Sequence, residues 1–199
     1  MMPVLIVPGL GGSGAQHWQT HLEQSLPGAA RVQQDDWDRP ELNSWIERLA
    51  CAVEAQPGSI LVAHSLACPL VAHLALRRPD VRISAALLVA PADVDSARHT
   101  PAHIRGFAPI PLAELPFRSI VVASTNDPYI SIDRARELAQ AWGAGFIDAG
   151  SSGHINTAAG FGPWPAGERI VRSLISEHWS HQRRAAGQAR PLAAAEVGR

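Results

Sequence analysis

Residues 59–75 read Ser59-Ile-Leu-Val-Ala-His64-Ser65-Leu-Ala-Cys-Pro-Leu-Val-Ala-His-Leu-Ala75. Ile60 to Ala63 is a short apolar run and predicts a buried strand. Leu66, Leu70, Val71 and Leu74 recur at helical spacing, so a helix starts immediately after Ser65. A serine at a sharp strand-to-helix turn has its hydroxyl pushed out above the sheet, the arrangement usually written G-x-S-x-G. Here it reads Ala63-His64-Ser65-Leu66-Ala67, with alanines in place of both glycines. Pro69 falls in the first helical turn, where backbone N–H groups lack helical partners anyway. Those free N–H groups and the positive end of the helix dipole face the space above Ser65 and would stabilise an oxyanion there. A plain β–α junction carrying an incidental serine is the alternative reading.

Outward from this stretch, strands alternate with helices. Pro3–Val7, Ala29–Gln34, Ile83–Ala90, Ser119–Ser124 and Gly145–Asp148 read as further strands. Ala15–Leu26, Glu41–Ala55, Ile132–Trp142 and Ala166–Trp179 read as helices. This alternation predicts an α/β fold with a parallel sheet. The strands lack polar alternation, as expected when helices cover both faces. With right-handed crossovers the proposed order is 2-1-3-4-5-6, six strands in three layers. The loops after strands one and three then flank the topological switch point, where such sheets bind ligands. One domain is expected over residues 1–180, with a loose tail over 181–199. Pro91 to Arg118, with five prolines, is expected to be irregular. As the only material for a cap, it encloses little apolar volume and predicts small substrates.

Composition narrows the chemistry. The chain has 199 residues, 46% hydrophobic and 18% charged, with net charge −1. That is a globular chain without the basic footprint for nucleic acid or an anionic membrane surface. All 17 basic residues are arginine. The lack of lysine excludes P-loop, Schiff-base and kinase-type lysine chemistry. Cys51 and Cys68 make no disulfide framework and suit a reducing cytoplasm. The N-terminal apolar run is short and has no basic region, so it reads neither as a signal peptide nor as a membrane span.

A serine nucleophile needs a general base, and the base needs an orienting acid. His154 lies in Ser151-Ser152-Gly153-His154, after the last strand, at the end of the sheet where Ser65 emerges. Gly153 gives the backbone freedom to present the ring. Asp127 ends the run Ser119-Ile-Val-Val-Ala-Ser-Thr-Asn-Asp127, just past strand five. Asp93, after strand four, is its main rival; Asp133 suits a helix first turn and Asp148 a strand end. His17 and His21 are four apart but lack the zincin glutamate and a third ligand, so no metal is expected. His64 adjoins the serine and is expected to point elsewhere; His73 reads as structural.

The glycine-rich turn Gly9-Leu10-Gly11-Gly12-Ser13-Gly14 has two readings. It matches G-x-G-x-x-G after a strand, with Asp35 about 20 residues on, so a dinucleotide-binding oxidoreductase is a competing class. Alternatively it is an oxyanion loop, in which the Leu10 N–H joins the Leu66 N–H. The Ser65-Asp127-His154 constellation favours the second.

Val4-Leu-Ile-Val-Pro-Gly, His17-Trp18, Ala63-His-Ser-Leu-Ala, Ser124-Thr-Asn-Asp-Pro-Tyr and Gly153-His-Ile-Asn together resemble the small α/β-hydrolases of the retinoblastoma-binding-protein-9-like, YdeN-type serine hydrolase family. The similarity covers about residues 3 to 180. It implies an α/β-hydrolase fold without the first two strands of larger relatives, and Ser65, Asp127 and His154 as a catalytic triad. The partner motif L-x-C-x-E is not carried over, because Leu66-Ala67-Cys68-Pro69-Leu70 ends in leucine. The expected chemistry is acyl transfer on a small ester, thioester or amide, without cofactor. His17, Trp18, Trp37 and Trp164 are candidate pocket walls. A binding scaffold without turnover is the third reading.

Overall fold

A computed structural model describes residues 2–188. Its strands are β1 (Val4–Val7), β2 (Ala29–Arg31), β3 (Ser59–His64), β4 (Ile83–Val89), β5 (Arg118–Ala123) and β6 (Gly145–Asp148). They form one parallel sheet in the order β2-β1-β3-β4-β5-β6, as the alternation of elements predicted. The helices are α1 (Trp18–Ser25), α2 (Leu42–Ala55), α3 (Ala67–Arg77), α4 (Ile132–Ala141) and α5 (Pro165–Gln188).

Successive strand residues face opposite sides of a sheet, and here each side has its own core. Leu5 and Val7 join Leu61 and Ala63 beneath Leu49 of α2, Leu70 of α3 and Leu138 of α4. Val4 and Ile6 join Ile60 and Val62 beneath Trp18 and Leu22 of α1 and Val171 and Leu174 of α5. Two apolar faces per strand explain why no polar alternation is visible in the sequence. The neighbours β1 and β3 send their chains to opposite faces, β1 to α1 and β3 to α3. The crevice between their C-terminal ends is where both the glycine-rich turn and Ser65 emerge.

The boundaries depart from the sequence expectation where side chains intervene. α1 starts at Trp18 rather than Ala15, because His17 caps it: His17 Nδ1 accepts from the Gln19 N–H at 3.2 Å. β2 stops at Arg31, whose guanidinium turns to the glycine-rich loop. The proline-rich connection is packed rather than loose. It contains a short 3₁₀ helix, Ala102–Phe107, and buries Ile104, Phe107, Ile110 and Leu115 in the core. Its carbonyls are tied down by His73 Nε2 on Phe107 O at 2.7 Å and Trp142 Nε1 on Pro111 O at 2.8 Å. His73 is structural, as expected. α5 runs on to Gln188, past the expected end at Trp179. Residues 181–188, expected to open the loose tail, instead continue this helix, and the rest of that tail, 189–199, lies outside the described residues.

Candidate active site

Ser65 sits between the last residue of β3 and the first turn of α3, with φ of +57°. A non-glycine residue in the left-handed region costs roughly 1–2 kcal/mol and needs its surroundings to hold it. Its N–H donates to Val89 O at 3.0 Å, and its carbonyl accepts from the Cys68 and Ala92 N–H groups at 3.0 and 3.3 Å. Ala63 and Ala67 are fully buried on either side of the turn, small enough for the crowding there.

The side chains singled out as nucleophile, base and acid meet in this structure. His154 Nε2 lies 2.9 Å from Ser65 Oγ. Its Nδ1 lies 3.0 and 2.9 Å from the two carboxylate oxygens of Asp127. Asp127 is buried and also accepts from the Tyr129 N–H at 2.8 Å. The rival Asp93 is buried elsewhere, 3.6 Å from Arg134. Asp148 pairs with Arg136, and Asp133 sits in the first turn of α4.

The loop that carries His154 passes through the left-handed region at Gly153, φ +54°, where glycine is at ease, and at Ile155, φ +45°, where a β-branched residue is strained. Three side chains hold its consecutive residues. Asn126 Oδ1 accepts from the Gly153 N–H at 2.7 Å. His64 Nε2–H donates to the His154 carbonyl at 2.9 Å. Trp18 Nε1–H donates to the Ile155 carbonyl at 2.8 Å. Ser124 Oγ supports the first of these, donating to Asn126 Oδ1 and accepting from the Ser152 N–H, both at 2.8 Å.

The expectation that His64 turns away from the site is corrected. Alternation along β3 does send its ring to the α1 side, but the His154 loop closes over that side. The His64 ring stands 4.9 Å from that of His154 and 4.8 Å from that of His17. Burial pushes the pKa of His64 well below the usual histidine range, with the charges of His154 and His17 adding to it. A neutral His64 whose Nε2–H donates to a carbonyl is thereby fixed in one tautomer.

The glycine-rich loop meets the elbow at Gly9. A Cβ built there would lie 2.7 Å from His64 O, 3.0 Å from Ser65 Cβ and 3.1 Å from Leu66 N. The Gly9–Leu10 peptide therefore runs beside the Leu66 amide. Neither the Leu10 nor the Leu66 N–H has an acceptor among the described residues. Arg31 clamps the far side of this loop, donating to the Gly12 and Ser13 carbonyls at 2.5 and 2.9 Å and to Thr20 Oγ1 at 2.7 Å.

A cleft of about 210 Å³ opens above Ser65 and His154, walled by Leu10, His17, Ile104, Tyr129 and Asn156 among others. Of the four expected wall residues only His17 lines it. Trp18 is fully buried and spends its indole N–H beneath the His154 loop. Trp164 packs edge-on against Trp18, with centroids 5.0 Å apart. Trp37 packs on Trp45 and against Gly12, where a Cβ would meet its ring at 2.9 Å. Ile104, Tyr129 and Asn156 were missed. Tyr129 and Asn156 each lie two residues from an expected site residue, which is the signal that could have found them. Ile104 reaches the cleft through the fold of the long connection and left no local sign.

The dinucleotide reading fails on geometry. The helix after the glycine motif begins only at Trp18. Gly9 is filled by the elbow rather than open to a pyrophosphate. Asp35 is an exposed surface residue bonded to Arg48 and Ser44. Among the described residues no group of three or more histidine, cysteine, aspartate or glutamate side chains could hold a metal ion.

Known proteins agree with this architecture. A YdeN-like hydrolase from Pectobacterium atrosepticum superposes with a TM-score of 0.79 at 31% identity, over 89% of this chain and 92% of that one. The ydeN gene product of Bacillus subtilis gives a TM-score of 0.74 at 21% identity, over 88% of this chain and all of the other. Est1E from Butyrivibrio proteoclasticus shares the fold at 12% identity, with a TM-score of 0.65 over 88% of this chain and 89% of that one. A search of curated proteins returned no match. The model of the serine hydrolase family matches residues 4–173, and with that span taken up by the sheet, the elbow and the His154 loop, this chain belongs to the serine hydrolase family and is a hydrolase of the α/β-hydrolase fold.

Proposed function

We propose that the chain hydrolyses small ester, thioester or amide substrates through an acyl-enzyme on Ser65. His154 Nε2 takes the Ser65 proton as the hydroxyl attacks the carbonyl, and returns it to the leaving group. Asp127 holds the His154 Nδ1–H and stabilises the imidazolium. The Leu10 and Leu66 N–H groups receive the developing oxyanion. Water, activated by the same histidine, then cleaves the acyl-enzyme. The residues present supply every step without a cofactor. The observation that carries this reading is the unbroken chain Ser65 Oγ, His154 Nε2, His154 Nδ1, Asp127, each link at 2.9–3.0 Å.

The cleft volume of about 210 Å³ suits a short acyl group and a small neutral molecule as the partner. Among the described residues no helix is long and apolar enough to cross a membrane. The free cysteines Cys51 and Cys68 fit the reducing cytoplasm as its compartment.

The test is labelling with a fluorophosphonate and mapping of the modified residue. Ser65 is expected to carry the label. Ser65→Ala should abolish it and lower ester hydrolysis by about 10⁴–10⁶, the loss expected when one member of such a unit is removed. Wild-type turnover in Ser65→Ala with a native circular dichroism spectrum would overturn the reading.

A further inference from the structure

Besides the Tyr129 hydroxyl, the cleft carries two side-chain hydrogen-bond donors that the acyl-transfer steps do not use. His17 Nδ1 is committed to the Gln19 N–H, so in the neutral ring the hydrogen sits on Nε2. That Nε2 has no partner among the described residues and is not sealed from solvent; the open space that His17 lines is the cleft. Burial, the Arg31 charge and His154 push the pKa of His17 down to about 4, so it is neutral at pH 7. Asn156 is built alike. Its Oδ1 caps the following turn, accepting from the Ala159 N–H at 3.1 Å, which leaves the Nδ2 donors open on the same cleft. No carboxylate or guanidinium lines this cleft among the described residues.

Both donors flank His154. His17 reaches it through the ring of His64, and Asn156 follows it two residues on. The group that departs toward His154 is the leaving group, because His154 returns the proton to it. We propose that His17 Nε2 and Asn156 Nδ2 bind an oxygen acceptor in the alcohol portion of the substrate, so that this hydrolase selects esters whose leaving group carries a second oxygen. This rests on the acyl-enzyme reading above. The substrate class is a neutral short-chain ester of an alkoxy- or hydroxy-substituted alcohol.

The experiment compares kcat/KM for 2-methoxyethyl acetate and butyl acetate, esters of equal length that differ by one ether oxygen. Wild type should favour the ether by about 2- to 12-fold per donor engaged, the span of one neutral hydrogen bond. His17→Ser keeps an N-cap for α1 and removes the ring donor. Asn156→Asp keeps the cap to Ala159 and replaces the donor with an acceptor. In each the ether-to-alkyl ratio should fall toward one, whatever happens to the absolute rates. A wild-type ratio near one, or a ratio unchanged in both variants, overturns the inference. Failure of the acyl-enzyme reading is separate: both esters would then be cleaved equally well by Ser65→Ala.

Discussion

Gly9→Ala tests the contact between the two loops that build the site. Gly9 has φ −88° and ψ −155°, a conformation open to any residue, so the backbone gives no reason for glycine. Space does. The new methyl would sit 2.7 Å from His64 O, 3.0 Å from Ser65 Cβ and 3.1 Å from Leu66 N. Carbon atoms in contact prefer about 3.5–4.0 Å. All three neighbours belong to the elbow, so relief requires the glycine-rich loop or the elbow to move by several tenths of an ångström. Overpacking of this kind costs about 1–3 kcal/mol, which in a domain of this size corresponds to a Tm drop of roughly 2–12 °C. The same movement separates the Leu10 and Leu66 N–H groups, which the proposed mechanism assigns to the oxyanion, and loss of one such donor costs on the order of 10²–10³ in kcat. Gly14→Ala is the control, because a Cβ there meets nothing within 4 Å and φ is not positive. Thermal melts and steady-state kinetics on a short acetate ester should place Gly14→Ala beside wild type and Gly9→Ala well below it. A Gly9→Ala protein with wild-type kcat would refute the claim that this close approach sets the donor geometry.

Two other predictions concern the His154 loop and its histidines. Asn126→Ala removes the acceptor for the Gly153 N–H and for Ser124 Oγ; at about 0.5–1.5 kcal/mol per bond, stability should fall by roughly 1–3 kcal/mol and kcat by about tenfold, and an unchanged kcat would mean the loop is held without it. Acidification should destabilise the fold as pH drops from about 6.5 toward 4. The folded state keeps His17 unprotonated to about 4 and His64 to well below its usual range, mainly through burial, while the unfolded chain protonates both near 6.5. The unfolded state therefore binds more protons in that window, and stability rises with pH there. Tm measured from pH 7.5 to 5 should decline on acidification, with a shallower slope in His64→Gln; a flat profile in wild type would refute this.

The order of strands was legible because apolar runs and helical periodicity alternate along the chain, and parallel crossovers leave few ways to arrange them. Ser65, His154 and Asp127 were legible for a related reason. Each follows a strand, and the C-terminal ends of parallel strands all lie at one edge of the sheet, so chain position alone puts the three side chains near one another. What the sequence could not determine was anything that depends on which distant surfaces touch. Trp18 and Trp37 look like pocket walls in one dimension but are consumed by packing beneath the His154 loop and the glycine-rich loop. His64 looked like a bystander until the His154 loop folded over it. Ile104 lies in a proline-rich stretch with no periodicity, yet core burial of its neighbours delivers it to the cleft. Local pattern determined the elements and their order, because periodicity and chain connectivity act over a few residues. Only tertiary structure decided the cleft walls and the supports of His154, because those contacts join residues as many as 137 positions apart.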